Sequence, residues 1–216
     1  MAIASSPQRP MTMSQVLFPQ NTMIRHIALV IAASLFIAVS AQVSIRIPIG
    51  PVPVTGQTFA WLLVPALLGP RLGAAAALLY LAEGALGLPF FAQGKSGWQV
   101  LSFMETAGST SGYLIGSVLA AAVVGRLAEM GWDRRPLGMT AALVVGNLLI
   151  YIPGLLMLWV WAMGHTTLLK METVPFSWVL GAGLLPFIPG DIVKLVLAAG
   201  LVPSGWQLLR KLGFRD

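Results

Sequence analysis

Pro186-Phe187-Ile188-Pro189-Gly190-Asp191-Ile192-Val193-Lys194-Leu195-Val196 lies inside an apolar run over residues 178–202, long enough to cross a bilayer. Asp191 and Lys194 fall in the middle of that run. A charge at such a depth costs roughly 2.5–3.5 kcal/mol on insertion scales, so intramembrane ionisable residues are rare and usually functional. Three residues apart on a helix, the two side chains share one face. The carboxylate and the ammonium then partly neutralise each other while facing an interior cavity. The alternative is a structural ion pair that pins two helices together.

The rest of the chain fits that setting. Its 216 residues are 57% hydrophobic and 9% charged, with mean hydropathy +0.84; soluble domains carry about 25% charged residues. The sequence predicts an all-α integral membrane protein, one bundle of six transmembrane helices. The net charge of +6 is no nucleic-acid signal, because the basic residues sit at helix ends. With no cysteine, thiol chemistry, disulfides and cysteine-ligated metals are excluded.

The six apolar runs cover residues 24–43, 54–68, 72–88, 111–127, 137–161 and 178–202. Gly69-Pro70-Arg71 separates the second from the third as a tight hairpin turn, since Pro70 cannot continue the first helix. Residues 1–22 read as a disordered cytoplasmic tail, 23–203 as the transmembrane substrate-binding domain and 204–216 as a short basic cytoplasmic tail. With both termini inside, the inner face holds Arg9, Arg25, Arg71, Arg126, Arg134, Arg135, Arg210, Lys211 and Arg215. The outer face then holds Arg46, Lys95 and Lys170, and this bias sets the orientation. The long connections over residues 89–110 and 162–176 lie outside, with the Pro-rich segment 47–53, as expected of loops that cover a site.

Several spans contribute polar groups at middle to outer depth. Gln57 opens the second, Tyr80 and Glu83 lie on the third, and Asn147 and Tyr151 share a face of the fifth. Alone, Gln57 and Asn147 read equally as interhelical hydrogen-bond glue, Tyr80 and Tyr151 as interfacial belt residues, and Lys95 as a solvated loop charge. Their convergence on Asp191 and Lys194 favours a site. Gly108-Ser109-Thr110-Ser111 precedes the fourth span; its hydroxyls and amides suit an anionic group, and the alternative is an ordinary helix cap. Ala28 and Ala32 make a small-residue stripe on the first span.

Gly94-Lys95-Ser96 resembles the end of a phosphate-binding loop, but Pro89 occupies the required first glycine. No serine–histidine pair is within reach by topology, since His26 is inner and His165 lies in an outer loop, so an intramembrane enzyme is disfavoured. Two scattered histidines do not make a zinc site.

Four blocks resemble the BioY family, the biotin-specific substrate-binding S component of energy-coupling factor (ECF) transporters. They are Pro51-Val52-Pro53-Val54-Thr55-Gly56-Gln57-Thr58, Leu67-Leu68-Gly69-Pro70-Arg71-Leu72-Gly73, Gly84-Ala85-Leu86-Gly87-Leu88-Pro89-Phe90-Phe91 and Leu185-Pro186-Phe187-Ile188-Pro189-Gly190-Asp191-Ile192-Val193-Lys194. Gly112-Tyr113-Leu114-Ile115-Gly116 and Gly146-Asn147 add to them, while Gly108-Ser109-Thr110-Ser111 departs from the family's usual Gly-Pro-Thr-Gly-Gly.

The resemblance implies a multi-pass protein of a bacterial cytoplasmic membrane that captures biotin, without a cofactor or catalysis. It implies partners in the ECF transmembrane T component and two cytoplasmic ABC-type ATPases, with Ala28 and Ala32 at the docking strip. In that reading Asp191 accepts a ureido N–H, and Lys194 holds Asp191 ionised or donates to the ureido carbonyl. Asn147, Tyr151 and Gln57 complete the polar shell and Tyr80 flanks the ring. Thr110 or Ser111, with Lys95, receives the carboxylate. The rival is a stand-alone secondary transporter using Asp191 or Glu83 as a proton carrier.

Overall fold

The computed structural model describes residues 11–20, 22–46, 48 and 50–214. Among them the chain forms helices α1 (Met13–Leu17), α2 (Met23–Gln42), α3 (Gln57–Leu68), α4 (Pro70–Ala85) and α5 (Ser111–Glu129). It continues with α6 (Pro136–Gly164), α7 (Thr166–Leu169), α8 (Phe176–Gly183) and α9 (Ile188–Lys211). Strands β1 (Ser44–Ile45) and β2 (Val54–Thr55) pair antiparallel, Ser44 opposite Thr55, and close the Pro-rich loop between α2 and α3.

Among the described residues, four helical segments are long and apolar enough to cross a membrane: Met23–Gln42, Thr106–Glu129, Pro136–Gly164 and Ile188–Lys211. Helix α3 has 12 residues and spans only about 18 Å. The Pro-rich chain before it is buried at Val52 and Pro53.

The bundle is built on α5 and α6, whose backbones meet at two glycines. A Cβ on Gly112 would lie 2.3 Å from the Pro153 carbonyl oxygen, and one on Gly116 would lie 2.7 Å from that of Leu149. Small residues permit such an approach where lipid supplies no hydrophobic drive between helices. Helix α4 packs on α5 and α2, α9 packs on α6, and α3 fills the middle against α2, α5 and α9. Tyr80, Met139, Leu143 and Trp206 are buried in this core.

Three expectations are corrected. Residues 178–202 are not one span: the helix stops at Gly183 and restarts at Ile188. Pro186 and Pro189 supply no amide hydrogens and disfavour helix before them. The tail over residues 1–22 is ordered where described, since Met13 and Val16 of α1 are buried and Arg134 Nη2 donates to the Met11 carbonyl at 3.1 Å. The tail from residue 204 is helix as far as Lys211, with Trp206 and Leu209 buried. Trp206 donates its indole N–H to the buried Asp133, and the Arg134 guanidinium sits 4.4 Å over the Trp206 ring. Residues 1–10 and 215–216, including Arg9 and Arg215, lie outside the described residues.

Candidate functional site

The break before α9 changes the setting of Asp191. It stands in the first turn of a helix, its amide donating to the Phe187 carbonyl at 2.9 Å. Helix N-termini carry partial positive charge that favours a carboxylate, so the break lowers the cost of the buried anion. Both oxygens are engaged. Tyr151 Oη of α6 donates to Oδ2, and Lys194 Nζ donates to Oδ1 at 3.1 Å. Lys194 Nζ also donates to Thr58 Oγ1 of α3 at 3.2 Å. The side chains of Asp191 and Lys194 are only 8% and 15% exposed, so the charge pair is nearly desolvated.

A second chain of bonds runs from α3 to α4. Gln57 Nε2 donates to Tyr80 Oη at 2.9 Å, and Tyr80 Oη donates to the Phe90 carbonyl at 3.2 Å. Trp61 and Phe91 meet the Tyr80 ring edge-on, at centroid distances of 5.4 and 5.6 Å. Gln57 is thereby oriented, and its side-chain carbonyl is the group left free.

Between these two networks lies a cavity of about 720 Å³, counting its open mouth. Its polar lining includes Gln57, Thr58, Tyr151, Thr110 and Lys95. Trp61, Phe91, Tyr113 and Phe187 supply apolar walls. Tyr113, Tyr151 and Phe187 form one aromatic cluster with centroids 6.0 to 6.5 Å apart. Tyr113 Oη donates to the Gly183 carbonyl at 2.8 Å, satisfying a backbone group at the end of α8.

The loop after α4 covers the mouth and is fastened at both ends. Gln42, the last residue of α2, donates to the Phe90 carbonyl at 3.1 Å and accepts from the Gly94 amide at 3.1 Å. Trp161 of α6 donates its indole N–H to the Glu105 carbonyl at 3.0 Å. Lys95 lies between the cavity and an outer cleft that also holds Arg46, which donates to Gln93 Oε1 at 3.0 Å. Burial, and then the Arg46 charge, pull the Lys95 ammonium below its usual pKa.

The cavity brings together Gln57, Tyr151, Thr110 and Lys95 of the expected residues. Asp191, Lys194 and Tyr80 stand one hydrogen bond behind its wall. Asn147 and Ser111 do not line it; Asn147 Oδ1 and Ser111 Oγ are buried without a hydrogen-bond partner among the described residues. Ala28 and Ala32 lie on the exposed face of α2. Thr58, Trp61, Tyr113, Phe187 and Arg46 were not anticipated. Thr58 sits beside Gln57 in the Pro-rich block, which was the available signal, whereas Tyr113 reads in sequence as part of a packing motif.

The chain matches the BioY family over residues 10–211. It is 40% identical over 138 residues to a protein named probable biotin transporter BioY from Methanothermobacter thermautotrophicus, covering 62% of this chain and 82% of that one. It is 37% identical over 159 residues to the biotin transporter BioY of Thermotoga maritima, covering 72% and 81%. It is 37% identical over 174 residues to the biotin transporter BioY of Rhodobacter capsulatus, covering 79% and 86%. The fold superposes on a crystal structure of the S-component for biotin from an ECF-type ABC transporter with TM-score 0.69 and 23% identity, covering 91% of this chain and 98% of that one. A match over residues 10–211, nearly the whole described chain, makes this chain a member of the BioY family.

Proposed function

We propose that this protein captures biotin in the cavity between α3, α5 and α6 and delivers it across the membrane as the S component of an ECF-type transporter. The observation that carries the reading is the pairing of free acceptors with one relayed donor on the cavity wall. Tyr151 spends its hydrogen on Asp191, so its oxygen lone pairs remain for a ureido N–H. The Gln57 carbonyl is a second acceptor, because its amide donates to Tyr80. Thr58 accepts from Lys194, which leaves its own hydrogen for the ureido carbonyl. Asp191 therefore acts by holding Tyr151 and Lys194 in place. The aromatic walls suit the fused rings, and Thr110 with Lys95 at the mouth suits the carboxylate.

The relatives named biotin transporter, and the neighbouring S-component for biotin, support the substrate class. In this reading α2, α3, α4, α5, α6 and α9 are the six spans, both termini are cytoplasmic, and the T component docks along Ala28 and Ala32 with two ATPases below it. A stand-alone, proton-coupled transporter is the second reading. It would fall to Glu83, whose Oε2 is buried without a partner while Oε1 lies 3.5 Å from Ser34 Oγ.

Uptake of tritiated biotin by auxotrophic cells expressing this chain, with and without the T component and ATPases, tests the proposal. Uptake that needs the ATPases supports the S component. Uptake by the chain alone that collapses with the proton gradient supports the second reading. No biotin uptake in either background contradicts both.

A further inference from the structure

At the end of the bundle opposite the biotin cavity, α2, α4 and α5 surround a cleft of about 1840 Å³, open to the surface. Arg25, His26, Arg71 and Arg126 line it, with Glu129 as the one carboxylate among the described residues. Arg126 already pairs with Glu129 at 3.0 Å. Arg25 donates to two neutral groups, the Gln20 carbonyl at 2.8 Å and the Ser14 carbonyl at 2.9 Å, and its Nε is buried with no partner. Arg71 forms no hydrogen bond or ion pair among the described residues. The 16-residue helix α4 begins here at Pro70, so its first amides and positive dipole end face the same space.

Two guanidiniums thus lack an anion where a helix N-terminus adds positive potential. Beside the cleft, Met23, Ile24 and Ile27 of α2 are exposed and apolar, at the start of a helix long and apolar enough to cross a membrane. We propose that this cleft binds the phosphate headgroup of an anionic membrane lipid, with the phosphodiester held by Arg25 and Arg71 and the acyl chains lying along α2. Arginine forks match phosphate oxygens in pairs. Basic pockets between transmembrane helices on the cytoplasmic side bind such headgroups. A free phosphate ion would share the polar contacts but leave the apolar α2 row unused. The proposal is independent of what the outer cavity binds.

The test is lipid retention by the full chain, purified in detergent and titrated with phosphatidylglycerol or phosphatidylcholine of matched chains, read by native mass spectrometry. Wild type should retain phosphatidylglycerol in preference to phosphatidylcholine, and excess inorganic phosphate should not displace it. R25Q and R71E should each weaken retention roughly fivefold. R135Q/K211Q, which removes charge elsewhere on the same face, should leave it unchanged. Thermal unfolding without added lipid reports whether each variant is folded, and R71Q replaces R71E if the reversed charge abolishes the transition. Equal retention of the two lipids would overturn the proposal and leave the cleft to an acidic segment of a partner protein. An equal loss in R135Q/K211Q would overturn it in favour of diffuse surface charge. Displacement by inorganic phosphate would overturn the lipid as the source of the anion.

Discussion

Tyr151 of α6 donates its phenolic hydrogen to Asp191 of α9, so the last helix of the bundle is tied to α6 by a bond at the cavity wall. The bond fixes which way the phenol points and leaves the Asp191 carboxylate with no vacant oxygen, since Lys194 holds the other. Tyr151→Phe removes a cavity acceptor and strands a buried carboxylate oxygen. An unsatisfied buried group costs about 1–3 kcal/mol. Biotin affinity is expected to fall about ten- to hundredfold on that scale, with a lower unfolding temperature. Unchanged affinity in Tyr151→Phe, by titration calorimetry, would remove Tyr151 from the site.

Thr58 separates a relayed charge from a mere wall. Thr58→Val keeps the shape but deletes the oxygen that accepts from Lys194 at 3.2 Å. Binding is expected to weaken roughly tenfold, the effect of losing a hydrogen bond linked to a charged group. Thr58→Ser should restore most of it. Binding by the Val variant equal to or tighter than that by the Ser variant would contradict a role for the hydroxyl.

The proposed carboxylate contact at Lys95 predicts pH-dependent binding. Its ammonium titrates below the usual lysine value because of burial and Arg46. A carboxylate arriving beside it stabilises the charged form, so binding takes up a proton where free Lys95 is neutral. The sign follows: affinity is full below the lowered pKa and declines as pH rises from there toward the usual value of about 10.4. Lys95→Gln should bind more weakly and lose that alkaline decline. A wild-type curve that stays flat across this window would contradict a carboxylate at Lys95.

Gly116 tests the bundle itself. An added methyl would meet Pro153 Cγ at 2.6 Å and the Leu149 carbonyl oxygen at 2.7 Å, and the backbone has no flexible end to move away. Gly116→Ala is expected to cost about 1–3 kcal/mol, as overpacking does. Gly200, with open space around it, should accept alanine without loss. Equal unfolding temperatures for the two variants would mean that α5 and α6 are not pressed together there.

The sequence makes legible what depends on composition and spacing. The apolar runs mark α2, α5 and α6 to within a few residues at most ends, and Gly69-Pro70 marks the α3–α4 turn. The Asp191–Lys194 pair is visible because a charge stands out against hydropathy and a three-residue offset keeps it on one face. The break at residues 184–187 is not, because Leu184 and Leu185 are as apolar as a spanning helix, and the prolines act on geometry rather than on hydropathy. Thr58 escapes notice because its role exists only where α3 meets α9. Conversely, Asn147 stands out in sequence as a polar residue amid apolar ones, yet the fold turns it away from the cavity lining. Helix α1 is too short and too mixed to announce that Met13 and Val16 are buried.

Titration of biotin into the purified, detergent-solubilised protein, beside Asp191→Asn, tests the central claim most directly. The asparagine keeps the size of the side chain but removes the charge, and it leaves one acceptor oxygen where Lys194 and Tyr151 use two. Tight, saturable binding by wild type, strongly weakened in a folded Asp191→Asn variant, is the result predicted here. No binding by folded wild type would contradict the assignment of the cavity to biotin. Wild-type affinity in Asp191→Asn would contradict the role given to the carboxylate.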